Sequence, residues 1–247
     1  MTHRRKLPIG VQNFAKIRGD DDYYYVDKTE FIHRLIDQGS YYFLSRPRRF
    51  GKSLLIDTLK ELHEGNEALF RGLFIHDKWD WQKRHPVVRI SFGAGVLRSR
   101  EELDRRIRFL LAANREALRL ADAAATDIAG EFQQLIEGAA QQHGARTVVL
   151  IDEYDKPILD NIIDPVAAVE MREGLKNLYS AIKDCDAAIQ FCLLTGVSKF
   201  SKVSLFSGLN NLRDITLSPE YSAICGYTEA DIDQVFAAEL SGFDRDE

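Results

Sequence analysis

Two short groups of residues have the types and spacing to act on a phosphate: Lys52 and Ser53 behind Gly51, and the adjacent carboxylates Asp152 and Glu153. A triphosphate needs inward-pointing backbone N–H groups, the positive end of a helix dipole and a mobile ammonium on its outer oxygens. Gly51 lets the backbone come close, Lys52 supplies the ammonium, and Ser53 offers a hydroxyl to Mg2+. Asp152 then completes the Mg2+ shell, and Glu153 can orient and polarise an attacking water as a general base. A kinase acting on a small molecule must exclude water and has no need of a carboxylate beside its metal ligand, so the second acid favours hydrolysis.

Each group needs an element to carry it. Tyr41-Tyr42-Phe43-Leu44 reads as a buried strand, Ser45 to Phe50 as a loop, and Gly51-Lys52-Ser53 opens a helical pattern that runs to Leu62. In G-x-x-x-x-G-K-[ST] the first Gly would fall at Arg46, so the motif is shortened, and such a fragment arises by chance in roughly one chain of this length in ten. The second group settles the choice. Val148 to Ile151 is an apolar run, mostly β-branched, that ends in the two acids, as expected of a central parallel strand buried on both faces. Ligands of open α/β sheets sit at the carboxyl ends of such strands. The plain alternative, two acids closing a strand in solvent, does not account for the loop upstream.

Composition narrows the class. The 247 residues are 45% hydrophobic and 29% charged, which is ordinary globular material. A net charge of −5 argues against a surface built mainly for nucleic acid. There is no run of 18 apolar residues and no apolar signal core behind the basic start, so the expectation is a cytoplasmic protein with no membrane partner. Cys185, Cys192 and Cys225 lack CxxC spacing and read as buried thiols, and the dispersed histidines suggest no zinc.

The remaining pattern supplies the frame. Asp27 to Asp37 is a helix stopped by Gly39, while Tyr23 to Val26 is either a short strand or a packing strip. Strands are predicted at 41–45, 87–92, 147–152, 189–195 and 214–217, with helices over Arg98 to Gln142, Val166 to Lys183 and Thr228 to Leu240. Gly93-Ala94-Gly95 reads as a turn, and Trp79 and Trp81 as braces against the core. The arginines between Arg98 and Arg119 are interleaved with acids, which favours a solvated, ion-paired helix face over a nucleic-acid stripe. Strands joined by helical crossovers describe a five-stranded parallel α/β sheet, the expected three-layer P-loop NTPase sandwich. Thr195 ends one strand where a polar residue beside a γ-phosphate is wanted, and a strand-ending Thr-Gly turn explains the same spacing.

Leu7-Pro8-Ile9-Gly10, Tyr25-Val26-Asp27-Lys28-Thr29, Arg46-Pro47-Arg48-Arg49-Phe50-Gly51-Lys52-Ser53, Leu150-Ile151-Asp152-Glu153-Tyr154-Asp155-Lys156-Pro157 and Thr195-Gly196 through Ser204 to Leu212 together resemble the predicted AAA-ATPase-like family of bacteria and archaea. The resemblance implies that the missing first Gly is a family trait. It also implies the sheet order of additional-strand P-loop ATPases, 5-1-4-3-2, with the Thr195 strand between those of Lys52 and Asp152. On that basis Lys52, Glu153 and Thr195 are expected to be catalytic, with Thr195 sensing the γ-phosphate. Arg49, Phe50, Gly51, Lys52, Ser53 and Leu54 are expected to hold the phosphates of ATP, Ile9 and Gly10 to lie near the adenine, and Ser53 and Asp152 to organise Mg2+. The expected layout is an ATPase core with an N-terminal extension over 1–219 and the start of a truncated helical lid over 220–247. Family members often continue into a restriction-endonuclease-like domain, of which no motif is seen here. A nucleotide-dependent binding or switch module that hydrolyses little is the alternative. A homo-oligomer and a protein or nucleic-acid partner stay open, with Arg172 and Arg213 candidates for a trans-acting arginine by position alone.

Overall fold

The computed structural model describes residues 5–19, 22–122, 125–199, 205–206 and 211–240. Apolar runs without alternation have become strands covered on both faces, as a parallel sheet requires. Strand β1 (Tyr41–Ser45) and strand β3 (Thr147–Asp152) are buried throughout, and β4 (Ile189–Gly196) is buried except at Gln190. Strand β2 (Val87–Ser91) lies at one edge, and β5 (Arg213–Asp214) at the other. The order is β2-β3-β4-β1-β5 with every pair parallel, which is the expected order read from the opposite edge. The last strand is shorter than the 214–217 of the sequence pattern. Only Arg213 and Asp214 pair with β1, because the Ser45 N–H donates to the Thr216 hydroxyl instead of a backbone carbonyl, and Ser218 N–H already turns back to Ile215 O.

Helices cover both faces. On one side α1 (Phe14–Gly19), α2 (Thr29–Gln38) and α3 (Lys52–His63) place Phe14, Leu35, Ile56 and Leu59 on Val148, Leu150 and Leu193. On the other, α4 (Arg100–Ala117) and α5 (Ile128–His143) bring Leu103, Ile107, Leu111 and Phe132 onto Val149, Ile151 and Leu194. After β3 comes a single turn, α6 (Lys156–Leu159), and then the long α7 (Pro165–Asp184), which adds Leu175 and Leu178 to the same layer. The starts of α4 and α5 are capped: Ser99 Oγ accepts from Glu102 N–H, and the Asp127 carboxylate accepts from Gly130 N–H. Two arginines of the arginine-rich stretch are ion-paired: Arg100 with Asp104 at 2.7 Å, an i, i+4 pair as expected, and Arg108 with Glu131 of α5 at 3.0 Å. Arg115 is buried and donates to the carbonyls of Ala121 and Glu131.

Tyr23 to Val26 is a packing strip with a single bridge, Lys6 to Tyr23, and Tyr25 stands edge-on to Phe14 at 5.3 Å. Trp79 and Trp81 both brace the α3 side of the core. The C-terminal helix begins at the predicted Thr228, whose capping box with Asp231 is complete, but it is two short helices, α8 (Glu229–Val235) and α9 (Ala237–Leu240). The break falls at Phe236, whose ring lies 5.4 Å from those of Tyr24 and Tyr227. Residues 200–204 and 207–210 of the family-like stretch lie outside the described residues. Among the described residues no helix is long and apolar enough to cross a membrane.

His63, at the end of α3, is 1% exposed, with its ring against Trp79, His85 and Phe191 and neither nitrogen hydrogen-bonded. Burial, with a smaller contribution from His85, lowers its pKa from 6.5 to about 3. Between those values the unfolded chain binds the extra proton, so the stability His63 supports is complete above pH 6.5 and is lost as pH falls toward 3, at about 1.4 kcal/mol per pH unit. Denaturant unfolding at pH 7 and pH 5 is expected to show wild type losing about 2 kcal/mol more than His63→Phe. Equal losses in the two chains would refute this origin for the acid sensitivity.

Candidate functional site

The phosphate-loop sequence leaves β1 at Ser45 and turns into α3 at Lys52. The turn needs left-handed backbone at Arg49 (φ 64°) and Gly51 (φ 88°), of which only the glycine adopts it freely. A Cβ on Gly51 would meet nothing nearer than Gly226 N at 3.7 Å, so the loop backbone there is open to a ligand. Lys52 is 6% exposed, and its Nζ donates to the carbonyls of Arg46 and Pro47, each at 2.9 Å. Burial lowers its pKa, while the carboxylates of Asp152, Glu153 and Asp155 pull it back up.

The acids stand at the end of β3. Asp152 is nearly enclosed and accepts the Thr195 hydroxyl hydrogen bond at 2.7 Å, Thr195 itself being fully buried on β4. Glu153 has left-handed backbone (φ 54°), uncommon for a residue with a Cβ. Its carboxyl is raised above the usual range, first by burial and then by Asp152, against the opposing pull of Lys52, Lys156 and Arg48. Gly93 leaves it room: a Cβ there would stand 3.4 Å from Glu153 Oε2.

A cleft of about 1050 Å3 joins these groups. Ile9, Gly10, Arg49, Phe50, Gly51, Lys52, Ser53, Leu54 and Glu153 all line it, whereas Asp152 and Thr195 do not. Ser53 and Asp152 are oxygen donors of the kind Mg2+ prefers, and that ion takes few protein ligands and completes its shell with phosphate and water. No group of three or more His, Cys, Asp or Glu suited to a metal occurs among the described residues.

A family model described as Predicted AAA-ATPase matches residues 8–206. The chain belongs to that family. An uncharacterized protein in the vnfD 5′ region of Azotobacter chroococcum mcd 1 is 63% identical over 244 residues, which is 99% of this chain and 47% of the relative. The chain thus spans about half the length of that relative. No solved structure matches.

In this family member another wall of the cleft is made by residues to which the sequence pattern assigns no part in a site: Ile224, Cys225, Gly226 and Tyr227, with Phe236. Their one signal in the sequence is a glycine just before the Thr228 cap. Gly226 has φ 78°, and a Cβ on it would come within 2.7 Å of the Phe50 ring. Arg48, Lys28 and Tyr24 also line the cleft, and the motifs assign them no role. The two arginines noted by position are engaged on the chain itself, Arg213 with Glu220 and Arg172 with Glu173.

Behind the cleft, Asp155 is fully buried and accepts from Val197 N–H at 3.1 Å, Ser198 N–H at 2.7 Å and Ser198 Oγ at 2.8 Å. Tyr154 N–H donates to Thr195 O, and its hydroxyl to Ser198 O. Gly196 sits in the resulting junction, where a Cβ would lie 2.3 Å from the Tyr154 ring and 2.7 Å from Asp155 Oδ1. Gly196→Ala is therefore expected to destabilise the chain by about 1–3 kcal/mol or more in denaturant unfolding. An unchanged midpoint would show that the junction yields freely.

Proposed function

We propose that this chain binds ATP with Mg2+ and hydrolyses it. The observation that carries the reading is that Lys52, at the N-terminus of α3, and Glu153, held in left-handed backbone at the end of β3, line one cleft. Lys52 and the loop backbone from Arg49 to Leu54 hold the phosphates, and Ile9 and Gly10 flank the base. When bound, Mg2+ neutralises charge on the phosphoryl oxygens, with Ser53 and Asp152 as its protein ligands. The Thr195 hydroxyl is committed to Asp152, so Thr195 acts by orienting that carboxylate. Glu153 positions the water and takes its proton. Of the expected lid over 220–247, residues 220–240 serve as a lid over the core and 241–247 lie outside the described residues, and the preference for adenine rests on family membership. Within this reading the protein works in the cytoplasm without a membrane partner, and a macromolecular substrate or a second copy is compatible with it.

Mg2+-dependent phosphate release from ATP tests this directly. Glu153→Gln is expected to lower kcat by roughly 100-fold or more while ATP still binds, and Lys52→Ala to lose binding itself. Wild-type turnover by Glu153→Gln would overturn the general-base role. ATP binding without turnover by wild type would favour the switch alternative. Because burial and Asp152 raise the Glu153 carboxyl in the unliganded chain, the acid limb of the kcat/KM profile, which reports the free enzyme, is expected above the ordinary glutamate range and to be absent from any residual Glu153→Gln activity.

A further inference from the structure

Arg46 stands where the longer phosphate-loop motif has its first glycine, and its side chain is half-buried yet does not line the cleft, although Arg48 and Arg49 do. Its guanidinium faces carbonyl oxygens: Nη1 donates to Ser45 O at 3.1 Å and Thr216 O at 2.5 Å, and Nη2 to Tyr221 O at 3.2 Å. Its backbone is equally committed, with N–H donating to Gly196 O and its carbonyl accepting from Lys52 Nζ. One residue therefore touches the end of β1, the end of β4, the lysine of the loop and the chain that follows β5. Shortly beyond Tyr221 that chain becomes a wall of the cleft, Ile224 to Tyr227, where Gly226 meets Phe50 of the loop.

We propose that Arg46 is a positioning residue that fixes the phosphate loop and the 224–227 wall as one unit, so that the cleft keeps the width a nucleotide needs. The inference rests on the nucleotide-binding reading above. A lysine cannot replace it, since an ammonium lacks the planar fork that reaches three separated carbonyls. Nor is the residue placed as a substitute phosphate cation, because three of its five N–H donors are held by the carbonyls of Ser45, Thr216 and Tyr221 and its side chain does not line the cleft. The loop is thus built around the absence of the first glycine, and restoring that glycine is expected to harm it.

The test compares wild type, Arg46→Gly, Arg46→Lys and Lys52→Ala by two readouts. The first is equilibrium binding of a fluorescent ATP analogue with Mg2+. The second is the labelling rate of Cys225, a wall residue, against Cys192 inside β4, with a maleimide; both thiols are buried in the folded chain. Arg46→Gly and Arg46→Lys are each expected to weaken binding roughly tenfold or more and to speed Cys225 labelling by a similar factor, with Cys192 unchanged. Binding restored by Arg46→Lys would assign Arg46 a charge role and overturn the proposal, as would unchanged Cys225 labelling. If Arg46→Gly exposes Cys192 too, it has unfolded, and Arg46→Lys decides. Wild type that binds no analogue overturns the nucleotide reading and this inference with it, whereas wild-type binding matched by both Arg46 variants overturns this inference alone.

Discussion

A carboxylate removed from water has to be given donors, and Asp155 takes them from the two residues that follow β4. That requirement joins the exits of β3 and β4. Ser45 Oγ donates to Val197 O, which brings the exit of β1 into the same knot. Thr195 lies at the end of β4, Glu153 follows β3 directly and Lys52 follows β1 by a short loop, so this junction of side-chain and backbone hydrogen bonds sets their spacing. The close fit of Gly196 beside Tyr154 and Asp155 follows from the same demand.

The charges in the cleft are mutually dependent. Burial pushes Lys52 and Glu153 each toward its neutral form, and each is pulled back by the other's charge, with Asp152 helping the lysine and opposing the glutamate. Removing either charge therefore shifts the protonation of its partner as well as deleting a contact.

Most of the sheet was legible because its strands are buried on both faces and so appear as unbroken apolar runs, as at Val148 to Ile151. The edge was not. At β5 the deciding event is a side-chain hydroxyl, Thr216 Oγ1, taking the amide that would have extended the ladder, and nothing in the local pattern announces which acceptor will win. The same holds for the site. Gly51-Lys52-Ser53 and Asp152-Glu153 were visible as types at a spacing, whereas Ile224 to Tyr227 enter the cleft only because the chain beyond β5 is carried back over the loop. The break in the last helix is similar: it falls at Phe236, whose ring packs beside Tyr24, far away in the chain, and periodicity carries no record of such a neighbour.

The strand order has a consequence in time. Strand β1 precedes β2 and β3 along the chain, yet Tyr41 pairs with Cys192 of β4 and Tyr42 with Arg213 of β5, both of which come after β3. During synthesis the β2–β3 pair can close first, while the loop bearing Lys52 hangs from a strand with no neighbour on either side. Pairing at such separation is entropically slow. The apolar stretch Tyr41 to Leu44 then waits unpaired until β4 has followed, which leaves it open to premature association in the nascent chain.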